Sequence, residues 1–154
     1  MKTIDEQILY EFDRLYYKVM GLYARFEAAR GISNPLYKVL HALYISSLQT
    51  QKDIMQNYEM PKQTINNVVA NLQKRGLVEV FAGQNDKREK ALHLTQAGAE
   101  YSENFLKPYM DFEKKVAQKL GARGFARLLE GFKAFETALN EALNNEIQGL
   151  KGAK

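Results

Sequence analysis

The sequence has 154 residues, 45% of them hydrophobic and 26% charged, which is the size and balance of one globular domain with helical additions. It holds no cysteine and only two histidines, His41 and His93, so disulfides, thiol chemistry and multi-histidine metal cages are excluded. Its 22 basic and 18 acidic side chains leave a net charge of +4, a small excess in favour of a polyanionic partner. No apolar run approaches the roughly 18 residues of a membrane span, and the charged N-terminus MKTIDEQILYEF has no apolar signal core. A cytoplasmic protein without a membrane partner is expected.

The charge excess is largest in residues 51–95, with seven basic and five acidic side chains. Three prolines and ten glycines interrupt the chain, so most of it should be helical. Ile8, Phe12, Leu15, Val19, Leu22 and Phe26 alternate steps of four and three, with Leu9, Tyr16 and Tyr23 beside them. This spacing predicts a long first helix with a heptad-like seam, ended by Gly31. Ser33 or Asn34 can cap the second helix, Pro35 lies at its start, and Leu36, Val39, Leu40, Leu43 and Tyr44 share one face. Thr50-Gln51-Lys52-Asp53 resembles a capping box and predicts a short helix to about Tyr58. Pro61 is expected to begin the next helix, with Ile65, Val68, Val69 and Leu72 inward and Lys62, Gln63, Asn66 and Asn67 opposite; Gly76 stops it. Residues 77–82 and 89–95 read as two strands around the polar loop 83–88, a hairpin. From Gln96 the chain is helical again, with a bend expected at Pro108 and a break at Gly121 and Gly124. The last helix has the seam Phe125, Leu128, Phe132, Phe135, Leu139 and Leu143, and the tail GLKGAK is expected to fray.

Short helix, tight turn, helix and hairpin over residues 50–95 make a winged helix-turn-helix. The fold class is therefore mostly α with a small β-hairpin, flanked by long N- and C-terminal helices. The second helix of such a unit enters the major groove of double-stranded DNA. Gln63, Asn66 and Asn67 suit the N6 and N7 edge of adenine, and Thr64 suits a thymine methyl or a phosphate. Lys62 sits in the first turn, where the helix dipole mildly disfavours a cation and a phosphate partner would explain it. Lys74 and Arg75, at the far end, suit either the dipole or the DNA backbone. Arg88, and after it Lys87, is the candidate for insertion into a narrow minor groove, while Asp86 is better placed to brace the loop by pairing with an arginine.

The same residues resemble the MarR-type (multiple antibiotic resistance regulator) transcription factors. The resemblance lies in Thr50-Gln51-Lys52-Asp53-Ile54, Lys62-Gln63-Thr64-Ile65-Asn66-Asn67, Leu72, Lys74-Arg75-Gly76-Leu77-Val78, Asp86-x-Arg88 and Leu92-x-Leu94-Thr95-x-x-Gly98. It implies a homodimer held by the terminal helices, binding a pseudo-palindrome and usually repressing, with Asp86 bracing the wing and Arg88 in the minor groove. Pro61 departs from relatives that often have Ser there, and it loses a hydroxyl that could cap the helix or bond phosphate. The implied layout is a DNA-binding lobe over residues 33–98 and a helical dimerisation lobe from 1–30 and 99–148. Within this family the missing cysteine rules out a thiol switch.

The aromatic N-terminal third is by default packing. Its sharper reading is a pocket between the lobes lined by some of Tyr16, Tyr23, Tyr37, His41 and Tyr44, suited to a small aromatic or lipophilic effector. No cofactor or metal is expected. No nucleophile, base and orienting group come together, so an enzyme is not expected. The alternative is a winged-helix module that binds protein without DNA. Its recognition helix would carry apolar residues outward, whereas this one carries Lys62, Gln63, Asn66 and Asn67.

Overall fold

A computed structural model describes residues 5–47, 50–82 and 90–152. Seven elements follow one another: α1 (Glu6–Arg30), α2 (Asn34–Tyr44), α3 (Gln51–Tyr58), α4 (Lys62–Lys74), β1 (Val78–Ala82), β2 (Lys90–Leu94) and α5 (Gln96–Gly152). They form two compact units, Met1–Leu106 and Lys107–Lys154. Mostly helical structure with one small antiparallel hairpin is thus the observed fold class.

In the first unit, α2, α3 and α4 pack on one another, with α4 against β1 and with α2 and α3 against β2. Leu40, Ile54, Ile65, Leu72, Leu92 and Leu106 are fully buried there, each such side chain contributing about 1.5–3 kcal/mol relative to exposure. Ile65, Val69 and Leu72 are spaced four and three apart, so one stripe of α4 faces this core and the opposite stripe is left to solvent. The hairpin pairs Val78 with Leu94 and Val80 with Leu92. Strand alternation buries Val78 and Leu92 and leaves Glu79, Phe81 and His93 exposed. The exposed Phe81 and His93 rings meet edge to face at 5.4 Å.

Helix α1 starts at Asp5, whose carboxylate accepts from the Gln7 N–H at 2.9 Å. None of its residues is buried within this chain. Asn34 donates to Glu27 Oε1 at 2.7 Å, tying the start of α2 to the end of α1.

Three details differ from the sequence expectations. Pro61 precedes α4 as its cap (φ −59°, ψ 135°) instead of opening it, since its fixed φ suits extended backbone equally well. In the second unit Gly121 leaves helical geometry (φ 68°, ψ 163°), but Gly124 is helical. A lone glycine costs a helix only about 1 kcal/mol, so it need not break one. The helix also continues to Gly152, past Gly149, where fraying is expected.

Candidate nucleic-acid interface

The short helix α3 is fixed at both ends. Thr50 Oγ1 accepts from the Asp53 N–H at 3.0 Å, as the capping sequence predicts, and Thr50 also forms a β-bridge with Ala91 of β2. The far end turns through Glu59 in the left-handed region (φ 46°), where the Met60 N–H reaches the Met55 carbonyl at 3.3 Å. A non-glycine residue held there costs on the order of 1–2 kcal/mol. This turn delivers the chain to Pro61 and sets the direction of α4.

The solvent face of α4 is mostly polar, with Ala70 its small exposed apolar residue. Lys62, Gln63 and Asn67 are exposed, and Thr64 and Asn66 are half-buried at its edge. Gln63 and Asn67 are one helical turn apart, and Gln63 Nε2 donates to Asn67 Oδ1 at 2.9 Å. Between Met55 and Phe81 no large hydrophobic side chain is exposed. The five positions expected from the sequence on this helix are thus contiguous on one surface.

At its C-terminal end α4 is joined to the hairpin and to α5. Gly76 takes the left-handed conformation (φ 68°) that lets Leu77 N–H reach the Leu72 carbonyl at 2.9 Å while Gly76 N–H bonds Gln73. Thr95 Oγ1 donates to the Gly76 carbonyl at 2.8 Å and accepts from the Gly98 N–H at 2.9 Å, so it caps α5 while holding α4. Gly98 lies against the Leu77 carbonyl so closely that a Cβ there would stand 1.9 Å from the oxygen. Arg75 stacks on the Tyr101 ring, 4.4 Å from its centre, with Nη1 3.4 Å from the hydroxyl. Of the basic pair expected to serve the dipole or the DNA, Arg75 therefore has a partner within the protein, and Lys74 is exposed on the last turn. Tyr101 and the Gly98 contact carry no local sequence signal beyond the Leu-x-Leu-Thr-x-x-Gly spacing.

The wing residues Asp86, Lys87 and Arg88 lie outside the described residues. The strands on either side, β1 and β2, are paired from Val78–Leu94 to Ala82–Lys90.

Of the aromatic set, Tyr37 is buried on α2 with its ring 5.6 Å from His41. His41 Nδ1 lies 2.6 Å from the hydroxyl of Tyr58 on α3, which is also 3.1 Å from Ser46 Oγ. Tyr58 is the member that sequence reading missed, since 17 residues separate it from His41. Tyr16 sits on α1 in another ring group, 6.3 Å from Phe12 and 5.5 Å from Tyr17. Tyr23 on α1 and Tyr44 at the end of α2 are half-buried. The structure thus groups Tyr37, His41 and Tyr58, and sets Tyr16 among the rings of α1.

Burial pushes the His41 imidazole below its ordinary pKa. The unfolded chain therefore takes up a proton first as pH falls, and the contribution of neutral His41 is full above about 6.5 and lost as pH falls through the folded-state value. Urea unfolding from pH 7.5 to 5.5 is expected to lose more stability in the wild type than in His41→Gln. Parallel pH profiles for the two proteins would contradict this.

With that geometry in place, three comparisons bear on identity. Residues 30–89 match the model of the MarR family. Over 159 aligned residues the chain is 26% identical to the HTH-type transcriptional regulator PetP of Rhodobacter capsulatus, spanning 97% of this chain and 90% of that one. Its fold is similar to that of NMB1585, a MarR family regulator from Neisseria meningitidis, with a TM-score of 0.77, 23% identity and coverage of 93% and 99% of the two chains. It is also similar to MepR of S. aureus in a structure of the MepR–DNA complex, with a TM-score of 0.64, 20% identity and coverage of 84% and 96%. The matched segment runs from the end of α1 to just before β2 and contains α2, α3, α4 and β1, including the helix that carries the polar surface. Residues 30–89 are thus similar to the MarR family, and the chain shares its fold along most of its length with a regulator of that family.

Proposed function

We propose that this chain is a sequence-specific DNA-binding transcriptional regulator that acts as a homodimer and represses from an A/T-leaning inverted repeat. The observation that carries the reading is the polar face of α4, where Lys62, Gln63, Thr64, Asn66 and Asn67 lie together with no exposed large hydrophobic side chain among them. Amides of this kind pair with adenine, and a wing arginine such as Arg88 favours the narrow minor groove of A/T tracts. That MepR has been solved on DNA supports the same use of the fold.

Dimerisation rests on exposed apolar surface. Ile8, Phe12 and Val19 on α1 are 62%, 43% and 45% exposed, and Phe132 and Leu139 on α5 are each 55% exposed. Surfaces of this size on a single chain mark an interface, and a two-fold dimer matches the symmetry of an inverted repeat. We assign DNA reading to residues 33–98 and dimerisation to 1–30 with 99–148. Half-sites then lie about 10–10.5 bp apart, or a multiple of that, centre to centre. A small aromatic or lipophilic ligand beside Tyr37, His41 and the neighbouring tyrosines would release DNA by favouring one of two lobe spacings.

Asn66→Ala is expected to cost about 1–3 kcal/mol on the selected site and less on random DNA, read by fluorescence anisotropy. Equal losses on both DNAs would contradict a base-reading role for Asn66.

A further inference from the structure

Gln63 and Asn67 are a hydrogen-bonded pair on the exposed face of α4, with Gln63 Nε2 2.9 Å from Asn67 Oδ1. A primary amide has two donor hydrogens and an acceptor oxygen. The bond uses one Gln63 hydrogen and one Asn67 lone pair, which leaves Gln63 Oε1 as an acceptor and Asn67 Nδ2 as a donor. Exchanging the two amide orientations gives the complement, again one acceptor and one donor. In either arrangement the bond fixes the separation of the two side chains and removes rotamer freedom that separate amides would lose on binding.

In the major groove adenine offers N6–H as donor beside N7 as acceptor, whereas guanine offers two acceptors, N7 and O6. One acceptor and one donor at fixed separation match adenine and leave an acceptor facing an acceptor on guanine. On the reading of α4 given under Proposed function, we infer that Gln63 and Asn67 act as one composite reader of a single adenine. The pair is one specificity determinant, and neither residue has a base of its own. Asn66, half-buried one residue earlier, is outside it.

The test measures wild type, Gln63→Ala, Asn67→Ala and the double variant on a selected site and on all its single-base variants. Circular dichroism confirms that the helical content is kept. Wild type is expected to lose about 5- to 150-fold in affinity when one particular adenine becomes guanine. Each single variant is expected to lose that preference at the same base pair, and the double variant to lose no more than either. Preferences relaxed at two different base pairs, or a shared base pair whose preferred base is not adenine, would overturn the composite reader while leaving DNA recognition intact. A wild type with no base preference anywhere would overturn the DNA-binding reading itself, and this inference with it.

Discussion

Gly98→Ala is expected to destabilise the protein by roughly 3 kcal/mol or more, seen as a large fall in the urea midpoint. The new Cβ would lie 1.9 Å from the Leu77 carbonyl oxygen and 2.9 Å from its carbon. Both atoms belong to backbone, so no side-chain rotation relieves the clash. Moving the start of α5 away would strain or break three hydrogen bonds at once. These are Thr95 N–H to the Leu77 carbonyl (3.1 Å), Gly98 N–H to Thr95 Oγ1 (2.9 Å) and Thr95 Oγ1 to the Gly76 carbonyl (2.8 Å). The same junction holds the C-terminal end of α4, so DNA affinity should fall with stability. Gly131→Ala provides the control, because a Cβ there meets nothing within 4 Å and alanine is the better helix former by about 1 kcal/mol. A Gly98→Ala protein as stable as Gly131→Ala would contradict the close approach.

Affinity for DNA is expected to fall about 10³–10⁵-fold between 50 and 200 mM salt. That range corresponds to about 6–10 phosphate contacts released with their counterions. A dimer doubles each contact, so roughly 3–5 cations per subunit suffice. Lys62 and Lys74 are exposed on α4 and Lys90 at the start of β2, and Lys87 and Arg88 belong to the proposed wing sequence between the strands. The plot of log affinity against log salt should therefore be steep, and shallower by about two for each lysine variant that removes one phosphate contact from each subunit of the proposed dimer. A nearly flat plot would contradict an electrostatic interface at α4 and the wing.

The elements most legible in the sequence are those whose cause is local. The Thr50 cap, the inward stripe of Ile65, Val69 and Leu72, the Gly76 stop and the alternation of β1 each depend on residues within a few positions of one another. The polar face of α4 was legible for the same reason, being whatever the apolar stripe leaves over. What was not legible joins distant parts of the chain. His41 meets Tyr58 across 17 residues, and Arg75 meets Tyr101 across 26. Neither pairing has a periodicity that announces it, because the packing of α2 on α3 and the junction of Gly76 and Leu77 with Thr95 and Gly98 bring the groups together. Arg75 shows the consequence: as a basic residue at the end of α4 it suits DNA, yet an aromatic ring from another element has already engaged its guanidinium. The Gln63–Asn67 bond is an intermediate case. Its spacing of four is readable, but which polar residues on a helix face bond each other depends on rotamers the sequence does not display.

Selection of bound sequences from random double-stranded DNA by the purified full chain tests the central claim most directly. The account predicts enrichment of an A/T-leaning inverted repeat with half-site centres about 10–10.5 bp apart, or a multiple of that distance. Recovery of unselected sequence after repeated rounds, with no repeat enriched, would contradict it.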